Sequence, residues 1–266
     1  MSSGTPKPQV DTRKPHSARV YDWLLGGKDN YPVDSALGMQ LPEMAKVNAR
    51  QNRAFMHRAS AWLARQGVDQ FLDIGTGIPT EPNLHQIVQE INPKARIVYV
   101  DNDPIVLRHA EALLVSTVEG ATDFIQADVR EPKAILERAG RQLDFERPVA
   151  LSLIALMHFI PDGDGPEDPY VIVHTFLDAL VPGSYLTLSH ATFDFHPELE
   201  AQITGTYAKG GITTRPRTRA EVEPFFDGLD LVDPGLVTAP GWFKDTEAPE
   251  SEESAIYAGV ARLPAP

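Results

Sequence analysis

A chain of 266 residues, 42% of them hydrophobic and 23% charged, is long enough for one sizeable core and is unlike the compositions that stay disordered. Its formal net charge of −13 argues against nucleic acid, whose binding draws on clustered Lys and Arg, and leaves a small molecule as the expected partner. The absence of cysteine excludes disulfides, thiolate zinc sites, iron–sulfur clusters and cysteine nucleophiles, while no run approaches the ~20 apolar residues that cross a bilayer, so a cytoplasmic location is expected.

Residues 1–15, rich in Ser, Pro, Lys and Gln, have little to bury and read as a disordered leader. A helix is predicted from Ser17, its N-cap, with Val20, Trp23 and Leu24 at helical spacing until Gly26 and Gly27 stop it. A second helical region places Met44, Val47, Ala54, Phe55, Ala59, Trp62 and Leu63 on about one face and ends at Gly67. Residues 16–67 therefore form a predicted N-terminal helical extension, and 68–266 the main domain.

Beyond Gly67 short apolar runs alternate with helical segments, the signature of βαβ units. Strands are predicted at Gln70–Ile74, Arg96–Val100, Asp123–Ala127, Val149–Leu156, Ser184–Ser189, Leu229–Leu236 and Ala255–Arg262. Helices fall near Pro82–Glu90, Pro104–Thr117, Pro132–Arg138, Pro169–Leu180, Pro197–Ala208 and Ala220–Phe226. The Pro- and Glu-rich stretch Pro240–Glu253 reads as an exposed loop between antiparallel strands. The outcome is an α/β fold with a seven-stranded, mostly parallel sheet, whose ligand crevice lies at the carboxyl ends of the strands.

The strongest motif is Phe71-Leu72-Asp73-Ile74-Gly75-Thr76-Gly77, an apolar strand running into a glycine turn and then a helix. Glycines let a ligand approach the main chain closely, and the turn's N–H groups can face its polar atoms. A nicotinamide dinucleotide site would carry a third glycine where Thr80 stands, and no Lys-Ser or Lys-Thr pair follows to form a Walker cradle. Asp73 adds a negative charge that repels a pyrophosphate and attracts an ammonium or sulfonium, which favours S-adenosyl-L-methionine. Asp101, 24 residues beyond Gly77 and followed by Asn102, stands where an acid reaches ribose hydroxyls. Asp128 can accept from an adenine amino group while Val129 touches the ring. Taken singly, the Asp73 motif reads equally as a plain strand–turn–helix junction and Asp101 or Asp128 as a helix N-cap; in order at three successive strand ends they describe one nucleoside pocket.

The run from Ala18 to Tyr31 (ARVYDWLLGGKDNY), the glycine motif, Val98-Tyr99-Val100-Asp101-Asn102-Asp103-Pro104 and Leu188-Ser189-His190-Ala191 resemble the S-adenosyl methyltransferase family DUF574 over nearly everything after residue 15. The resemblance implies a Rossmann-like class I methyltransferase fold with S-adenosyl-L-methionine as the cofactor. Tyr21, Gly26, Gly27, Asn30 and Tyr31 are expected to form a lid beside it; the plainer reading of Gly26 and Gly27 is a helix C-cap followed by an ordinary turn.

The fourth strand ends in Ala155-Leu156-Met157-His158, where the transferable methyl group should point. His158 is the first candidate general base and His190, after the fifth strand, the second. This strand end is unlike the (Asp/Asn)-Pro-Pro-(Tyr/Phe) motif of amino-directed DNA methyltransferases, and the lack of cysteine forbids cytosine C5 chemistry. Methyl transfer to oxygen or nitrogen of a small molecule is the leading reading, and a non-catalytic S-adenosylmethionine-binding sensor or interaction module the second.

Overall fold

The computed structural model describes residues 11–113, 115–242 and 254–265. Three helices precede the sheet: α1 (Ser17–Leu24), α2 (Pro32–Gly38) and α3 (Glu43–Arg65). The N-cap of α1 is His16, not Ser17, because the His16 ring accepts the Ala18 amide proton.

Eight strands are present among the described residues: β1 (Gln70–Ile74), β2 (Arg96–Asp101), β3 (Ala121–Gln126), β4 (Ala150–Ile154), β5 (Tyr185–Ala191), β6 (Asp230–Leu231), β7 (Val237–Thr238) and β8 (Ile256–Arg262). Their order is β3-β2-β1-β4-β5-β8-β6, with β7 also on β8; the first five are parallel and β8 runs antiparallel to β5. The predicted strand Leu229–Leu236 is two short strands, since Pro234 cannot donate to a ladder and Gly235 turns the chain at φ 89°. That break makes the sheet eight-stranded instead of seven. Of the predicted loop 240–253, residues 243–253 lie outside the described residues.

The pleat sorts the side chains onto two faces. Leu72, Ile74, Val98 and Val100 join one cluster beneath α6 (Pro132–Ala139) and α7 (Pro169–Leu177), while Phe71, Ile97 and Tyr99 join another under α3 and α4 (Leu84–Ile91). Between β2 and β3 lies α5 (Pro104–Leu113), and between β5 and β6 lie α8 (Glu200–Lys209) and the short α9 (Arg219–Val222). A third cluster packs Val20, Leu24 and Leu37 of the N-terminal helices against Ile203 and Tyr207 of α8, so the helical extension is fastened over the carboxyl end of the sheet. No helix among the described residues is long and apolar enough to cross a membrane.

Candidate active site

The strand order reverses between β1 and β4, and the crevice opens there. Gly75 and Thr76 both donate to the Val100 carbonyl, at 2.8 and 3.2 Å, bending the chain out of β1. Gly75 sits at φ 75°, and a Cβ on it would lie 2.8 Å from Leu156 Cδ1, so only glycine fits beneath the loop that leaves β4. Leu156 is aimed there by Ala155, a non-glycine residue held at φ 52° whose amide donates to Ser189 Oγ at 2.9 Å.

Asp101 ties the turn to the next helix: its Oδ2 accepts from Gly77 N at 2.8 Å and its Oδ1 from Asp103 N at 2.9 Å. Burial pushes its carboxyl above the usual range. Burial also raises Asp73 to about 6, against the pull of Ser152, Arg53 and Thr76. Asp128 is instead held below the ordinary value by Arg130, which grips both of its oxygens at 2.9 and 2.7 Å.

All three acids border one cavity of about 440 Å³, together with Gly75, Thr76 and Gly77. Asn102, Val129, Ala155 and Tyr21 border it too. Sequence reasoning missed the wall contributed by the N-terminal helices: His16 and Ser17 from the start of α1, and Asn52 and Arg53 from α3. Arg19 fastens α1 there, with Nε 3.1 Å from Asp103 Oδ2, Nη1 3.6 Å from Asp34 Oδ2, and its guanidinium over the Tyr31 ring. Arg53 donates to the Thr80 and Pro82 carbonyls, yet its buried Nε has no partner. The only signal for it was a polar Asn52-Arg53 pair just before the apolar stripe at Phe55.

Gly26, Gly27, Asn30 and Tyr31, expected to form a lid, do not border the cavity. Their loop closes on Asp22 instead: Asp29 N and Asn30 Nδ2 donate to Asp22 Oδ2 at 3.1 and 2.8 Å. A Cβ on Gly27 would fall 2.0 Å from Asp22 Oδ1, so the second glycine serves this local packing. Tyr31 packs with Ile78, Ile105 and Val106.

A second cavity of about 100 Å³ adjoins the first, sharing Ser17, Tyr21, Asn52, Ala155 and Phe159 with it. Asn52 organises the common wall: its Oδ1 accepts from Ser189 Oγ, and its Nδ2 donates to Tyr21 Oη at 2.8 Å, which in turn donates to Ala49 O. His158 borders the smaller cavity, whereas His190 borders neither.

Both histidines expected as general bases engage partners within the protein. A backbone amide can only donate, so Ala191 N at 3.3 Å fixes His158 Nδ1 as the acceptor and leaves the ring's proton on Nε2. Burial, aided by Arg217, lowers His158 to about 3. His190 spends both nitrogens, Nδ1 on Ala191 O at 2.8 Å and Nε2 on Arg217 Nη1 at 3.0 Å, and burial drives it well below its ordinary value. Groups that bind protons less well folded than unfolded contribute stability above pH ~6.5 and lose it as pH falls toward the folded value. His158 is worth up to about 2 kcal/mol between pH 6.5 and 5 and His190 acts in the same direction, so melting monitored by circular dichroism is expected to drop over that interval, and His158→Asn is expected to flatten the drop; a melting temperature constant from pH 7 to 5 would contradict the burial.

The arginine run is neutralised. Arg215 meets Asp162 and Glu221, Arg217 is buried against Asp162, and Arg219 meets Glu223.

A family model described as S-adenosyl methyltransferase matches residues 3–264. No curated protein matches the chain. Among solved structures, a DUF574 family protein from Streptomyces avermitilis is 45% identical with a TM-score of 0.90, over 96% of this chain and 100% of that one. A candidate methyltransferase from Thermobifida fusca is 38% identical with a TM-score of 0.84, over 99% of this chain and 100% of that one. A SAM-dependent methyltransferase from Anabaena variabilis, 12% identical with a TM-score of 0.52 over 98% of this chain and 99% of that one, shares the fold.

Proposed function

The chain belongs to the S-adenosyl methyltransferase family, and we propose that this enzyme moves the methyl group of S-adenosyl-L-methionine to an oxygen or nitrogen of a small molecule, using the larger cavity for the cofactor and the smaller for the acceptor. One observation carries the reading: Asp73, Asp101 and Asp128, from the ends of three adjacent strands, border a single cavity beside the glycine turn.

The donor set fits the cofactor. Asp101 keeps a free lone pair on each oxygen for the ribose hydroxyls, after accepting one amide apiece. Asp128 and Val129 suit the adenine amino group and ring, with Asn102 alongside. Asp73 offers charge to the ammonium, and Arg53, which borders the same cavity, offers a cation to the carboxylate. When bound, the cofactor supplies an electrophilic methyl group on a sulfonium. The protein's part is then to hold the acceptor in line and exclude water, an effect that by itself is worth several orders of magnitude in rate. The ion-paired arginines and the net charge of −13 favour a small acceptor over nucleic acid.

Release of S-adenosylhomocysteine on mixing the protein, S-adenosylmethionine and a fractionated metabolite extract tests the activity. Release that depends on one fraction is expected; tight cofactor binding with no release from any fraction would favour the non-catalytic module.

Asp73 gives the binding step its pH dependence. Because burial raises its folded pKa to about 6, the carboxyl is largely neutral at pH 5 and charged at pH 7. Affinity for the cationic S-adenosylmethionine is therefore expected to rise with pH, by up to about tenfold per unit below 6, and to level off above it. Calorimetric titrations at pH 5, 6 and 7 measure this, with Asp73→Asn expected to give a flat and weaker profile. A wild-type profile that is already flat would remove Asp73 from the ammonium.

A further inference from the structure

The smaller cavity has a chemistry narrower than a general acceptor site. Among the described residues no Asp, Glu, Lys or Arg borders it, and the aromatic residues Tyr21, Phe159, Phe193 and Tyr207 do. Phe159 and Tyr207 meet edge to face at 6.1 Å between centroids. Its volume of about 100 Å³ is of the same order as the ~150 Å³ that holds one benzene ring in an engineered cavity. A charged occupant would lose its hydration there with no opposite charge among the described lining residues to offset it, and a cation would also face the sulfonium next door.

His158 adds a second constraint. With Nδ1 committed to the Ala191 amide, the ring offers an N–H at Nε2 and no lone pair, so it can hold an oxygen but cannot take its proton. An acceptor methylated here must bring its own acidity. An aliphatic alcohol does not, and an aliphatic amine is cationic at neutral pH; a phenol, ionising near 10 as tyrosine does, meets both demands and can accept from an N–H with one lone pair while presenting another.

We infer that the smaller cavity is the acceptor chamber and that it takes a neutral single-ring phenol. The inference rests on the methyltransferase reading above. In the transfer, a lone pair of the phenolic oxygen forms the new O–CH3 bond while the carbon–sulfur bond breaks with its electron pair going to sulfur. The sulfonium becomes the neutral thioether of S-adenosylhomocysteine, and the phenolic proton leaves to solvent water.

Phenol itself is the probe, titrated by NMR into the full chain saturated with S-adenosylhomocysteine, against size-matched benzoate and protonated benzylamine. Phenol is expected to saturate one site at least tenfold more tightly than either charged compound. Thr204→Trp, from α8, and Ala45→Phe, from α3, fill the chamber from two partly exposed positions; each is expected to weaken phenol at least tenfold while S-adenosylhomocysteine affinity stays within about twofold. Charged compounds binding as well as phenol, or phenol affinity unchanged in both filling variants, would overturn the inference and leave the cofactor assignment standing. Failure of S-adenosylhomocysteine to bind the unaltered chain would instead strike the cofactor reading.

Discussion

Asp101→Ala is expected to weaken S-adenosylmethionine binding at least tenfold. Asp101 is buried at the end of β2 and borders the larger cavity, with each carboxylate oxygen already accepting one backbone amide and retaining a lone pair. Two charge-assisted hydrogen bonds to ribose hydroxyls contribute about 1.5–3 kcal/mol apiece, and tenfold in affinity needs only about 1.4 kcal/mol. The substitution also frees Gly77 N and Asp103 N, so part of the loss comes from a glycine turn no longer held to α5. Asp101→Asn separates the two contributions: it keeps one acceptor for the Gly77 amide but lacks the charge. Isothermal titration is expected to find the Asn variant folded and weaker than the unaltered protein, and the Ala variant weaker still. Affinity unchanged in both would place the adenosyl group elsewhere.

Arg217→Met is expected to produce the largest loss of stability. Arg217 is 1% exposed and holds the loop after β4 by donating to Met157 O at 3.1 Å, Ile160 O at 3.2 Å and His190 Nε2 at 3.0 Å, besides pairing with Asp162. Methionine fills similar space but leaves Ile160 O and His190 Nε2 without this donor, at about 1–3 kcal/mol each, while Met157 O keeps the Ile160 amide. A total of about 3 kcal/mol, toward the lower end of that sum, corresponds to a fall of roughly 10 °C for a chain of this size. Differential scanning calorimetry measures it directly, and a fall under about 2 °C would mean that the network does not hold the loop. The loop carries Leu156 onto Gly75 and His158 onto the smaller cavity, so cofactor affinity is expected to drop in the same variant.

What could be read in the sequence was whatever short-range pattern determines. The β1 motif, the alternation of strands and helices, and the three acids at consecutive strand ends depend on period and spacing, and the structure brings Asp73, Asp101 and Asp128 to one cavity. The Gly26–Tyr31 loop misled because its conspicuous polar residues looked free for a ligand. They satisfy one another through Asp22, a partner four residues before Gly26 whose burial no pattern announces. The histidines misled in the same way: a sequence places His158 and His190 at strand ends but is silent about the Ala191 amide and Arg217, which settle where their protons reside. Arg53 and His16 escaped notice because they reach the cavity across tertiary packing, from helices far in the chain from β1 and β2. The break at Pro234 is different: proline chemistry marks it in the sequence, and the expectation of one strand over Leu229–Leu236 passed over it.

A crystal structure of the chain soaked with S-adenosylhomocysteine tests the central claim most directly. The account requires electron density in the larger cavity, with the ribose on Asp101, the adenine between Asp128 and Val129, and the amino-acid end near Asp73 and Arg53. Ligand density on any other surface, or the same cavity filled with those three carboxylates turned away from the ligand, would contradict it.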